Sequence, residues 1–138
     1  MKNSFQKDLF IGLSHRGNSK KFIENSFEAF NSVIQMGYKY IETDLRMTLD
    51  REVIAFHDPD LKRLFELDLQ VRDLTFKEIS NLFREKNCSL LTLEDALMKF
   101  PDTYFNIDLK VKDVVQDSIK VVTELNAFER VCFASFHS

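Results

Sequence analysis

The sequence predicts an α/β fold built on a parallel sheet, and three observations carry that reading. Apolar periodicity divides the chain into strand-length and helix-length pieces that alternate in the order β-α-β-β-α-α-β-α-β. Histidine and charged side chains recur at the C-terminal ends of the strand segments, the edge at which parallel α/β folds bind ligands. No repeat, low-complexity tract or linker interrupts the 138 residues, which hold only 3 Gly and 2 Pro, so 1–138 reads as one domain or part of one.

Each element has its own signal. Leu9–Ser14 (LFIGLS) is an apolar run of strand length. Asn25 opens a helix with Phe27, Phe30, Val33 and Ile34 on one face, Asn25 or Ser26 as its N-cap and Gly37 as its stop. Tyr38–Met47 alternates with period two, and Glu52–Phe56 is a further short strand. A polar loop surrounds Pro59. Thr75–Glu85 is helical, with Phe76, Ile79, Leu82 and Phe83 apolar. Thr92 followed by Asp95 resembles a capping box and opens a helix that ends near Phe100-Pro101. Tyr104–Leu109 is a strand, Val114–Leu125 a helix and Val131–Ser135 a last strand with no helix after it. Parallel strands are normally covered on both faces, so this ending predicts the front part of a larger domain.

Composition narrows the function classes. With 19 Lys+Arg against 22 Asp+Glu, a formal charge of −3 and 44% hydrophobic residues, the chain reads as a soluble globular protein. The slightly acidic balance leaves no electrostatic footprint for nucleic acid or an anionic membrane. No apolar run approaches the ~20 residues of a bilayer span, and MKNSFQKDLFIGLSHRG lacks a signal-peptide apolar region. Cys88 and Cys132 stand apart without CxxC spacing, and read as reduced thiols in a cytoplasmic protein.

Four successive strands deliver reactive groups to one edge. The first ends in His15-Arg16-Gly17, the second carries Glu42 and Asp44, the third ends in His57-Asp58, and the fourth carries Asp108 and Lys110. Glu42 and Asp44 are two apart, so both point to one face, as do Asp108 and Lys110. Three carboxylates converging without compensation would cost several kcal/mol. A hard divalent cation with oxygen ligands, Mg²⁺ or Ca²⁺, removes that cost. Two histidines beside it provide an acid and a base working near neutral pH. Arg16 and Lys110 add positive charge suited to a phosphate. The bland reading is that the same carboxylates simply pair with Arg16 and Lys110.

HRG (15–17), EN followed by Ser (24–26), ExD (42–44), HD (57–58), TLEDAL (92–97), NIDLK (106–110) and RVCFASF (130–136) together resemble the glycerophosphodiester phosphodiesterase family, in the right order from about Leu9 to the last residue. HRG or ExD alone is weak; the ordered set is specific. The resemblance implies a (β/α)₈ TIM barrel, of which the chain would hold about the first five strands, because such a barrel takes roughly 250 residues. It implies hydrolysis of glycerophosphodiesters to sn-glycerol 3-phosphate and an alcohol, with a divalent metal. It places metal ligands at Glu42, Asp44 and Asp108, the acid/base pair at His15 and His57, and phosphate or substrate contacts at Arg16, Asn25 and Lys110. Asp108 stands where the family commonly has Glu, and Ser26 ends its usual Glu-Asn-Thr triplet. The alternatives are a related phospholipase acting on phosphoinositide or sphingomyelin, and an inactive half-barrel that pairs with another copy or with a missing half through an exposed sheet edge.

Overall fold

The computed structural model describes residues 13–134, and of 13–15 the backbone alone. The expected strand residues 9–12 and Ser135 lie outside the described residues. Five strands form one sheet: β1 (Leu13–His15), β2 (Tyr40–Met47), β3 (Val53–Ala55), β4 (Tyr104–Leu109) and β5 (Val131–Ala134). The path β1-β2-β4-β5 is parallel throughout, with Ser14 opposite Ile41, Asp44 opposite Asp108 and Asn106 opposite Cys132.

The third strand departs from expectation. β3 is antiparallel to the C-terminal part of β2, with Leu45 opposite Ala55 and Met47 opposite Val53. Four strands are therefore parallel, and His57-Asp58 does not follow a parallel strand. β2 overshoots the sheet edge, turns through Thr48–Glu52 and comes back. Thr48 Oγ1 accepts from the Glu52 amide in that turn, and Arg51 takes a left-handed φ of 62°. Because β3 returns toward the edge, its C-terminal end still arrives there: the Phe56 amide donates to the Asp44 carbonyl.

Helices α1 (Phe27–Gln35), α4 (Leu93–Lys99) and α5 (Val114–Glu124) supply the apolar cover of one sheet face. Phe30, Val33, Leu97, Val114 and Val122 bury against Ile41, Leu45, Phe105, Ile107 and Leu109. Strand alternation then leaves Glu42, Asp44, Asn106 and Asp108 on the other face. Ser26 caps α1, its hydroxyl accepting from the Ala29 amide. Thr92 caps α4 in the same way from Asp95, but the full reciprocal box belongs to Thr75 and Glu78 at the start of α3 (Phe76–Glu85). Arg130 closes the other end of α4, its guanidinium donating to the carbonyls of Leu97, Phe100 and Thr103. The Leu97 carbonyl gets no bond from four residues on, where Pro101 has no N–H to give.

The stretch expected as a polar loop around Pro59 folds into a second core. A single helical turn, α2 (Lys62–Phe65), and a 3₁₀ turn at Val71–Asp73 pack with α3. Ile54, Phe56, Leu61, Val71, Ile79 and Phe83 are its buried centre. Phe83 stands 5.4 Å from Phe65 and 6.2 Å from Phe56, ring centre to ring centre. Sequence periodicity missed α2 because four residues are barely one turn.

Candidate active site

The site is assembled where β1, β2, β4 and the return strand β3 meet. β1 ends in an abrupt backbone turn. Arg16 takes φ 62° and Gly17 φ 82°, while the Arg16 amide donates to the Glu42 carbonyl at 2.8 Å. A Cβ on Gly17 would stand 2.6 Å from the Ala29 backbone carbon, so only glycine lets α1 cross this close. A left-handed non-glycine residue costs of order 1 kcal/mol, and such strain gathers at functional sites. Here it brings the Arg16 guanidinium over the acidic cluster.

Glu42, Asp44 and Asp108 each offer an oxygen, and these three atoms all lie within 4.8 Å of one another. Asp44, 1% exposed, is the hub. Arg16 Nε lies 3.3 Å from Asp44 Oδ2, and Lys110 Nζ is 3.7 Å from Asp44 Oδ1 and 2.8 Å from Asp108 Oδ2. The fully buried Asn25, at φ 64°, donates from its amide to Asp44 Oδ2 at 3.5 Å and accepts from the Thr43 hydroxyl at 2.7 Å. The bland pairing and the clustering thus coexist: three carboxylates share two cations, one negative charge more than is balanced, and Arg16 is shared further with Glu24. The surplus settles on Glu42. Burial, and then the neighbouring Asp44 charge, push its carboxyl up to about 7 against the pull of Arg16.

That shift gives a stability prediction for the cation-free protein. Between the ordinary value of 4.5 and about 7, the folded chain holds a proton on Glu42 that the unfolded chain has released. The unfolded state binds fewer protons there, so stability falls as pH rises through this window, by on the order of 2 kcal/mol. Urea unfolding of chelator-treated protein at about pH 5 and about pH 8 should show the loss, and Glu42→Gln should abolish it. A wild-type midpoint that does not move would refute the assignment.

A second network flanks the first. Glu24, 7% exposed, accepts from Arg63 at 2.9 and 2.8 Å and from Arg16 Nη1 at 3.2 Å. Arg63 also donates to Asp58, from Nε at 2.9 Å and Nη2 at 3.2 Å. Asp58 Oδ1 is 2.7 Å from His57 Nδ1. Burial works to raise the Glu24 and Asp58 carboxyls, but hydrogen bonds from Arg63 and the nearby positive charges hold both below their ordinary values. The His57 carbonyl accepts from Arg46 Nε at 2.7 Å.

Residues 15–136 match the Glycerophosphoryl diester phosphodiesterase family. The chain belongs to that family. A Mycobacterium tuberculosis protein named "Probable glycerophosphodiester phosphodiesterase 2" is 34% identical over 127 residues, covering 91% of this chain and 48% of the relative. Human "Lysophospholipase D GDPD1" is 30% identical over 133 residues, 87% of this chain and 42% of the relative. The crystal structure of a Thermotoga maritima glycerophosphodiester phosphodiesterase superposes with a TM-score of 0.71 at 34% identity, over 88% of this chain and 51% of that one. The chain thus spans about half the length of the relatives it matches. Its four parallel strands with helices on one face are part of an α/β barrel of the phosphodiesterase type.

Within this family member the structure brings together Glu42, Asp44, Asp108, Arg16 and Lys110, and sets Asn25 behind Asp44. His57 reaches the same edge from the return strand. His15 is placed by its backbone alone, in register with Glu42. Asn25, expected at the substrate, spends its amide on Thr43 and Asp44, and the helix cap is its neighbour Ser26. Sequence reasoning missed Arg63 and Arg46, whose partners lie on other elements. Among the described residues no helix is long and apolar enough to cross a membrane.

Proposed function

We propose that this site hydrolyses glycerophosphodiesters, with Glu42, Asp44 and Asp108 holding a divalent cation. The carrying observation is the carboxylate triad with one negative charge in excess, in a chain of this family. The donor set fits a hard cation: all oxygen, on rigid strands, and too acidic to stay fully ionised by itself. When bound, Mg²⁺ or Ca²⁺ supplies positive charge against the oxygens of a phosphodiester. Asp44 and Asp108 stand directly opposite across two strands, so backbone pairing fixes their separation. Arg16 and Lys110 already sit against these carboxylates and offer donors to the phosphate beside them. Asp58 at His57 Nδ1 orients the ring so that Nε2 serves the substrate: the doubly protonated ring gives its Nε2 proton to the departing alcohol and keeps the one on Nδ1. His15 completes the acid/base pair as the base that activates water or the glycerol 2-hydroxyl. The barrel portion we assign to this chain is residues 1–138, and the outer edges of β1 and β5 are where further strands or a second copy would pair.

The test uses the purified chain with glycerophosphocholine and, side by side, a lysophospholipid, because relatives carry both kinds of name. Release of glycerol 3-phosphate or its acylated form that depends on added Ca²⁺ or Mg²⁺ supports the proposal. A cyclic phosphate as the end product would move the chain to the related phospholipase that acts on phosphoinositide or sphingomyelin. Cation binding with no turnover of either substrate would assign it to the half-barrel that needs further strands.

A further inference from the structure

The structure assigns a function to Arg63: we infer that its guanidinium is a two-sided clamp that positions His57, through Asp58, for proton transfer. The inference rests on the reading of His57 as an acid/base group. One edge of the guanidinium makes a parallel pair of bonds to the two oxygens of Glu24, at 2.9 and 2.8 Å. The other makes a second pair to Asp58, at 2.9 and 3.2 Å. The carboxylates are largely withdrawn from water, 7% and 16% exposed, while Arg63 is 48% exposed, so it is the paired geometry on both edges that sets these bonds apart from single surface ion pairs. With both Asp58 oxygens held, Oδ1 faces His57 Nδ1 at 2.7 Å. A carboxylate on Nδ1 keeps the proton there and leaves Nε2 as the working nitrogen. Arg46 fixes the same residue by its carbonyl, so His57 is held at backbone and ring.

The backbone that presents Arg63 is itself anchored. Leu61, fully buried, and Phe65, packed on Phe83, bracket it in the second core, and the Lys86 ammonium donates to the Leu64 carbonyl. At its far end the clamp reaches Arg16 through Glu24, joining the return strand to the strained turn after β1. The second core thus has a task at the site. Lysine cannot replace Arg63, because one ammonium lacks the fork that grips two carboxylates at once.

The test combines ¹⁵N NMR of histidine-labelled full chain with steady-state kinetics, the His57 signal being assigned by its loss in His57→Gln. In the neutral ring, wild-type His57 should show its proton on Nδ1, which leaves Nε2 as the site that takes up and passes on the transferred proton. Arg63→Ala should shift the neutral ring toward the Nε2–H form, lower kcat about 10- to 100-fold and leave KM within about twofold. Millimolar guanidinium should restore part of kcat, and Arg63→Lys should fall in between. Asp58→Asn cuts the link while sparing the Glu24 bonds, so it must give the same ring shift even if Arg63→Ala folds poorly. An unchanged His57 tautomer in either folded variant overturns the clamp. A wild-type chain that shows the tautomer shift on mutation but hydrolyses no substrate overturns the functional reading and leaves the clamp standing.

Discussion

His57→Ala should lower kcat by about a thousandfold while leaving cation affinity unchanged. The two halves of that expectation come from separate parts of the geometry. His57 lies two residues beyond the return strand and its ring partner is Asp58, whereas the three carboxylates stand on β2 and β4 and take Arg16, Lys110 and Asn25 as partners. The two groups meet through backbone, where the Phe56 amide donates to the Asp44 carbonyl, and an alanine at 57 leaves that bond in place. The ring is 30% exposed, so its loss opens no closed cavity, and stability should fall by less than about 1 kcal/mol. Calorimetric titration of Ca²⁺ or Mg²⁺ into the variant, beside the hydrolysis assay, checks both halves. Loss of cation binding would make His57 part of the metal site. Retained turnover would remove it from the chemistry altogether.

What was legible in the sequence, and what was not, follows from how far each interaction reaches along the chain. Glu42 with Asp44, and Asp108 with Lys110, are local pairs, and strand alternation alone puts each on one face. The alternating stretches at Ile41–Leu45 and Phe105–Leu109 announce strands because each carries its own period. The direction of β3 carries no such mark: three apolar residues read the same in a parallel or an antiparallel pair, and only the turn at Thr48–Glu52 decides it. His57 reached the expected edge all the same, by an antiparallel return. Arg63 was invisible for a different reason. Its partners Glu24 and Asp58 are 39 and 5 residues away, and its helical turn exists because Leu61 and Phe65 find a core made by residues as distant as Phe83. Such a turn is chosen by tertiary packing, to which local propensity is blind. Asn25 shows the converse case: a helix-cap residue type in a cap-like position was drawn inward by Thr43 and Asp44, and Ser26 took the cap.

Asp44→Asn is the second large effect expected, and it tests the charge balance itself. The substitution keeps the shape of the hub and removes one of three negative charges, so cation affinity should fall by on the order of 100-fold or more, with hydrolysis lost in parallel. Its consequence for the cation-free protein has two opposing parts. Arg16 and Lys110 lose their shared buried counter-charge, and breaking one side of such a buried arrangement costs roughly 3 kcal/mol. Glu42, however, loses the neighbouring charge that ranks next after burial among the causes raising its carboxyl, so its pKa should drop below about 7 while burial still holds it above its ordinary value. The released carboxylate then offers Arg16 a replacement partner within the same cluster. The net result should be a protein less stable than wild type at about pH 5, where wild-type Glu42 is protonated, and by a smaller margin at about pH 8, where the wild type also bears the repulsion between Glu42 and Asp44. Unfolding midpoints at the two pH values separate these parts. A constant gap between variant and wild type would mean that Glu42 and Asp44 do not share charge, and the reading of the triad as a cation site held short of one positive charge would fall with it.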